Sequence, residues 1–295
     1  MTGILDIFII RKEHALTNYF LPGYWPHGAL YIGTAEDLGK LGVDEEDLQD
    51  HPGFGDDEER AKERANRSWK AYTELDHSGH ECTIIEAVSE GVIFSSMEHS
   101  IGEADSVAVL RPILEKAEIK EAIKRAFTFW NLPYDFEFDF TSTDKLVCTE
   151  VVYRAYGGNS GTIKFDVENI MGRPTMPAVN LVRRFQKDRL AGQPQFEFIA
   201  FLELPDKQIN FSLKVLFVTC TFCAFMMALL ICHLGVKTLK RRLVFVVLLV
   251  VFSAPAVIFF PGEDGKTGEA VFKKPEELEE TLKLKGLTWW NYLEK

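Results

Sequence analysis

The chain has 295 residues, with 33 Lys+Arg against 44 Asp+Glu for a formal net charge of -11, and it carries 23 Phe. That length supports one sizeable domain with accessories, or two small ones, and the Phe content supplies a packed core. The acidic balance excludes a nucleic-acid binder, which needs a basic stripe against phosphates, so no nucleic-acid partner is expected.

Residues Ile4 to Ile10 (ILDIFII) read as a strand, and Ala15 to Phe20 as a short helix. A turn-rich approach, LPGYWP, leads to a second strand, His27 to Thr34 (HGALYIGT). An acidic stretch follows from Glu36 to Glu81, containing DEEDLQD and DDEERAKER. It reads as a surface insertion, its second half a solvated helix. Thr83 to Phe94 (TIIEAVSEGVIF) predicts two strands around a tight turn at Ser89-Glu90-Gly91. Ser106 to Leu110 is a further short strand, and Ile113 to Trp130 an amphipathic helix with Ile119, Ala122, Ile123, Ala126 and Phe127 at helical spacing.

Leu132 to Phe140 (LPYDFEFDF) reads as an aromatic, extended segment. Cys148 to Tyr156 is helical in pattern and is ended by Gly157-Gly158. Val179 to Leu190 predicts another helix, and Phe196 to Leu202 a last strand. Strands and helices without strict alternation point to an α+β domain with an antiparallel sheet, over residues 1–210.

Two uncharged apolar runs follow, 215–236 and 243–260. About 20 apolar residues span a bilayer as a helix, so 211–260 is expected to form a two-helix transmembrane hairpin. A helix apolar on every face has no place to bury itself in a domain of this size. The membrane lipid is therefore an expected partner. The link KTLKRR holds Lys237, Lys240, Arg241 and Arg242, and short basic loops favour the cytoplasmic side. That suggests an N-terminal domain outside the cytoplasm, but MTGILDIFIIRKEH shows neither a basic n-region nor a small-residue cleavage site, so the alternatives are missing upstream sequence or a cytoplasmic domain for which the loop rule fails. Residues 261–295 form a polar tail ending near Trp289-Trp290.

Five cysteines are present, and Cys220, Cys223 and Cys232 lie in the first apolar run, so no disulfide framework is expected. Of the two that remain, Cys82 sits in HSGHEC with His77 and His80. That cluster lacks a second ligand pair at a metal-site spacing and reads as a loop, with no metal or cofactor expected. Cys148 opens a predicted helix, where backbone N–H groups and the dipole favour a thiolate. Position alone leaves a buried structural cysteine equally open.

Among the histidines, His14, His51 and His99 read as solvent-facing, and His233 lies in the first apolar run. His27 opens a strand after Pro26. Glu86 shares the period-two face of its strand with the apolar Ile84 and Val88, which favours a partnered carboxylate over a solvated one.

The blocks HGALYIGT, TIIEAV, NLPYDFEFDF and LVCTEVVYRAY, in that order, resemble the circularly permuted papain-like hydrolases of the NlpC-type superfamily, in the branch of YiiX and YaeF. The resemblance spans residues 3 to 160, interrupted by the acidic insertion. It implies a papain-like fold in which the histidine strand precedes the cysteine helix. It further implies Cys148 as nucleophile, His27 as general base and Glu86 as the third polar residue, with Tyr134 lining the site or steadying the oxyanion. Glu150 is an alternative acid, but two residues beyond Cys148 on a helix it should point elsewhere. The implied activity is cleavage of an amide or ester through a thioacyl intermediate. A cell-wall peptide is the first expected substrate. The alternatives are a lipid acyl group, as in the lecithin retinol acyltransferase type, or an inactive membrane-bound binding module.

Overall fold

The computed structural model describes residues 3–12, 23–49, 51, 58–102, 104–203 and 271–273. The chain divides into two compact units, Met1–Leu204 with Val271–Lys295, and Pro205–Ala270. The second unit holds both apolar runs and lies outside the described residues, as does the expected helix from Ala15 to Phe20. Among the described residues, no helix is long and apolar enough to cross a membrane.

The first unit is built on one antiparallel sheet. Its strands are β1 (Ile7–Arg11), β2 (His27–Tyr31), β3 (Cys82–Val88), β4 (Gly91–Ser96), β5 (Ser106–Pro112), β8 (Phe196–Glu203) and β9 (Val271–Lys273), in the order β4-β3-β2-β1-β5-β8-β9. A separate hairpin pairs β6 (Glu168–Ile170) with β7 (Arg173–Thr175). Neighbouring strands run antiparallel throughout. The α+β expectation therefore holds.

Side-chain alternation splits the sheet into two apolar faces. Ile7, Ile9, Leu30, Ile85, Ala108, Leu110 and Phe201 join the main core. Phe8, Ile10, Ala29, Tyr31, Ile84, Val107 and Val109 form a smaller cluster on the other face. The main core is completed by helices α5 (Lys116–Phe127), α6 (Cys148–Ala155) and α7 (Val179–Leu190). The short helix α4 (Met97–Ser100) brings Met97 against the smaller cluster.

Helix α6 lies over β2 at Gly28, where an added Cβ would sit 3.7 Å from both Thr149 and Val152. It stops at Gly157, whose φ of 85° is the left-handed conformation that glycine adopts without strain. The β3–β4 turn closes on Gly91, with φ +114°, where a Cβ would lie 2.5 Å from the Leu132 carbonyl oxygen.

One expectation needs correction, one is refined, and one strand is added. The acidic stretch is largely solvent-facing and its second half is the expected helix, but it is not purely surface. Its helices α1 (Ala35–Leu41), α2 (Glu45–Gln49) and α3 (Glu58–Thr73) bury Leu38, Leu48 and Tyr72 in the main core. Tyr72 donates to the Gly33 carbonyl at 2.7 Å, and its ring meets Phe127 edge-on at 5.1 Å. The many charges hid a sparse apolar stripe, with Ala65, Trp69 and Tyr72 at helical spacing.

The segment 132–140 is not extended. Asp135, fully buried, accepts from the N–H groups of Glu137 and Asp139 at 2.9 and 2.8 Å and binds Lys145 at 3.0 Å. An aspartate that binds backbone two and four residues on folds a turn in place of a strand. Finally, the polar tail supplies β9 against β8.

Candidate active site

The site grows from the ends of three elements. His27 is the first residue of β2, Glu86 lies within β3, and Cys148 is the first residue of α6. The β2–β3 register pairs Leu30 with Ile85 and Tyr31 with Ile84. Continued along the ladder, it sets Glu86 opposite Ala29, one diagonal step from His27. The His27 Nε2 to Glu86 Oε2 distance is 2.7 Å. With Nε2 engaged, Nδ1 is the ring nitrogen left for Cys148, to which His27 is also hydrogen-bonded.

Cys148 is 3% exposed, and its Sγ lies 4.0 Å from the Pro26 carbonyl oxygen, one residue before His27. Val147 caps α6 without a side-chain hydrogen bond. The thiol therefore meets bare backbone: the N–H groups of Thr149 and Gly28 both reach it.

The electrostatics follow from these contacts. Burial opposes a charged imidazole, but the Cys148 sulfur and the Glu86 carboxylate outweigh it and lift His27 to about 10. Burial likewise opposes the thiolate, yet the His27 charge and hydrogen bond, helped by the two N–H groups, bring Cys148 below its ordinary value. Glu86 is 3% exposed, and burial pushes its carboxyl up. The hydrogen bond and charge of His27 reverse that, aided by neighbouring Ser100 and Ser95, and the carboxyl ends below its usual range. The three groups thus favour a thiolate, an imidazolium and a carboxylate in a row.

Tyr134 is brought to the same place by a parallel bridge to Leu146, two residues before Cys148. Burial raises its phenol well above the usual range, and the Cys148 and Asp135 charges raise it further, so it stays a neutral O–H donor. Glu150 does not join the row. It is fully buried and accepts from Arg154 Nε at 2.6 Å, while Arg154 also donates to the carbonyls of Phe140 and Ser142. Burial pushes Glu150 up to about 7.

The structure brings together His27, Glu86, Cys148 and Tyr134. The residues that the sequence reading missed are Ser95 and Ser100 beside Glu86, and no spacing signal pointed to them. His51 is less solvent-facing than expected, with a side chain 14% exposed and 4.0 Å from Glu121. His14 and His233 lie outside the described residues. Near HSGHEC, the His77 and His99 rings meet edge-on at 5.8 Å. Among the described residues, no group of three or more His, Cys, Asp or Glu is placed to hold a metal.

Comparison with known proteins gives a family. Residues 5–195 match the family model described as permuted papain-like amidase enzyme, YaeF/YiiX, C92 family. A solved structure described as metalloprotein yiiX from Escherichia coli O157:H7 aligns over 66% of this chain and 86% of that one, at 12% identity and a TM-score of 0.37. No curated protein matches the chain significantly. The family model covers residues 5–195, well over half of the chain, and the chain belongs to the permuted papain-like amidases.

Proposed function

We propose that the chain cleaves an amide or ester by covalent catalysis at Cys148. The observation that carries this reading is His27 held between two partners, the Cys148 sulfur on one side and Glu86 at 2.7 Å on the other. The Cys148 thiolate attacks the carbonyl carbon, and the C=O electron pair moves onto oxygen. Thr149 N–H at the start of α6 and the Tyr134 hydroxyl are the donors for that oxyanion. His27 gives its proton to the leaving nitrogen or oxygen as that bond breaks, leaving a thioester. His27 then takes a proton from water, the hydroxide attacks the thioester carbonyl, and the S–C bond breaks to release the acid. Glu86 is a positioning residue that fixes the ring and stabilises the imidazolium.

Membrane attachment belongs to the same reading. The apolar runs 215–236 and 243–260 are long enough for a tether, and the basic link between them favours the cytoplasmic side. The catalytic domain then faces outward, where a cell-wall peptide amide is the first substrate. A lipid ester is the second reading, because a tether holds the site at a lipid surface.

The test is acylation of the purified protein by an activated ester, compared with Cys148→Ala and His27→Ala. Acylation confined to the Cys148 peptide and lost in both variants supports the reading, and acylation that persists in Cys148→Ala removes it. Labelling of exposed lysines of the first unit, such as Lys40 and Lys187, by a membrane-impermeant amine reagent in intact cells decides sidedness.

A further inference from the structure

The loop that carries Tyr134 also carries aromatic rings the catalytic steps leave unused. Phe136 is 70% exposed, an unusual state for a large apolar side chain next to a reactive centre. Its ring lies 4.9 Å from the Tyr134 ring at 62°, and the Phe138 ring lies 6.1 Å from Tyr134 at 86°. Phe138 holds a φ of 55°, a left-handed backbone that a bulky residue rarely adopts. The loop is not loose. Leu146 N–H donates to Pro133, Asp135 N–H donates to Leu146, and the buried Asp135 pins the turn beneath the rings. A rigid aromatic cluster therefore stands in fixed register with the start of α6, its outermost ring open to solvent.

We propose that Tyr134, Phe136 and Phe138 form a subsite for an apolar group of the substrate, seated beside the carbonyl that Cys148 attacks. This rests on the reading of Cys148 as nucleophile. Aromatic faces offer large contact area to an alkyl chain or to an apolar amino-acid side chain, and neither needs a polar partner there. The subsite sets chain-length preference and leaves the thiol chemistry to His27 and Glu86.

The full-length protein tests this by alkylation of Cys148, read on its own peptide by mass spectrometry. Iodoacetamide, N-ethylmaleimide and N-octylmaleimide are compared in the wild type, Phe136→Ser and Phe136→Leu, each rate taken relative to free cysteine. Burying part of six extra methylenes should favour the octyl over the ethyl reagent on the order of tenfold in the wild type. Phe136→Ser should lose most of that ratio, and Phe136→Leu should keep most of it. An octyl-to-ethyl ratio equal in wild type and Phe136→Ser overturns the subsite. Iodoacetamide labelling no faster than that of free cysteine overturns the nucleophile instead, and the ratio still decides the subsite. Hydrolysis of p-nitrophenyl octanoate against the p-nitrophenyl ester of N-acetylphenylalanine then separates a lipid-like from a peptide-like source. A preference for p-nitrophenyl acetate over both counts against the subsite.

Discussion

Glu86→Gln removes a charge while keeping the volume and an acceptor oxygen toward His27. The His27–Glu86 contact is 2.7 Å, and the carboxylate side chain is 5% exposed. A charge-assisted hydrogen bond in such a place contributes about 1.5–3 kcal/mol. At about 1.4 kcal/mol per pKa unit, the imidazolium should fall by roughly one to two units. Cys148 is stabilised as a thiolate by that imidazolium, so its own pKa should rise in step. The wild-type thiolate–imidazolium pair forms as pH rises past the lowered Cys148 value and is lost as pH passes about 10, where His27 gives up its proton. In Glu86→Gln both limbs should move inward. The rate of acylation by a peptide-like ester, which needs both the thiolate and the imidazolium proton, measured between about pH 4 and 11 against the Cys148→Ala background, reads the profile, and the limbs belong to the coupled pair. A narrowed plateau with a neutral-pH rate roughly 10–100-fold lower is expected. A profile unchanged in both limbs would refute the role of the carboxylate.

Glu150 gives a stability prediction of defined sign. Its folded value of about 7 lies above the ordinary 4.5, so its stabilising contribution is complete below the ordinary value and is lost as pH rises through about 7. The wild type should lose on the order of 3 kcal/mol across that window from this group. Glu150→Gln should flatten the slope in urea denaturation series at pH 5 and pH 8, and an equal slope in both proteins would contradict the buried titration. Phe127 is fully buried and ringed by Tyr72, Phe94 and Trp69. Phe127→Ala should cost about 3–5 kcal/mol, read as a lowered thermal midpoint, while a loss under about 1 kcal/mol would mean that α3 does not share the core.

Much of the sheet and the site was legible because the signals were local. The β3–β4 hairpin follows from apolar runs around Ser89-Glu90-Gly91, and α7 spans the residues that its periodicity marks, Val179–Leu190. Glu86 stood out as a charge on an apolar face, and the structure gives it His27 as partner. What stayed hidden depended on tertiary context. In α1 to α3 charge outnumbered the few side chains that enter the core. In 132–140 aromatic composition imitated a strand, while the deciding feature was one aspartate bonding to its own loop. The β6–β7 hairpin has strands of three residues and a turn with Met171 and Gly172 both at positive φ, 54° and 86°, and no sequence preference marks methionine there. The strand β9 comes from a tail remote in sequence from β8, and pairing over that separation leaves no local trace.

The most direct measurement is single-turnover acyl transfer from a p-nitrophenyl ester, with nitrophenol release and the mass of the Cys148 peptide followed together. The catalytic row predicts a burst equal to one acyl group per Cys148, a thioester on that peptide that decays at the steady-state rate, and loss of both in Cys148→Ala and His27→Ala. Turnover in Cys148→Ala, or an acyl group that settles on Cys82 with Cys148 unmodified, would contradict it.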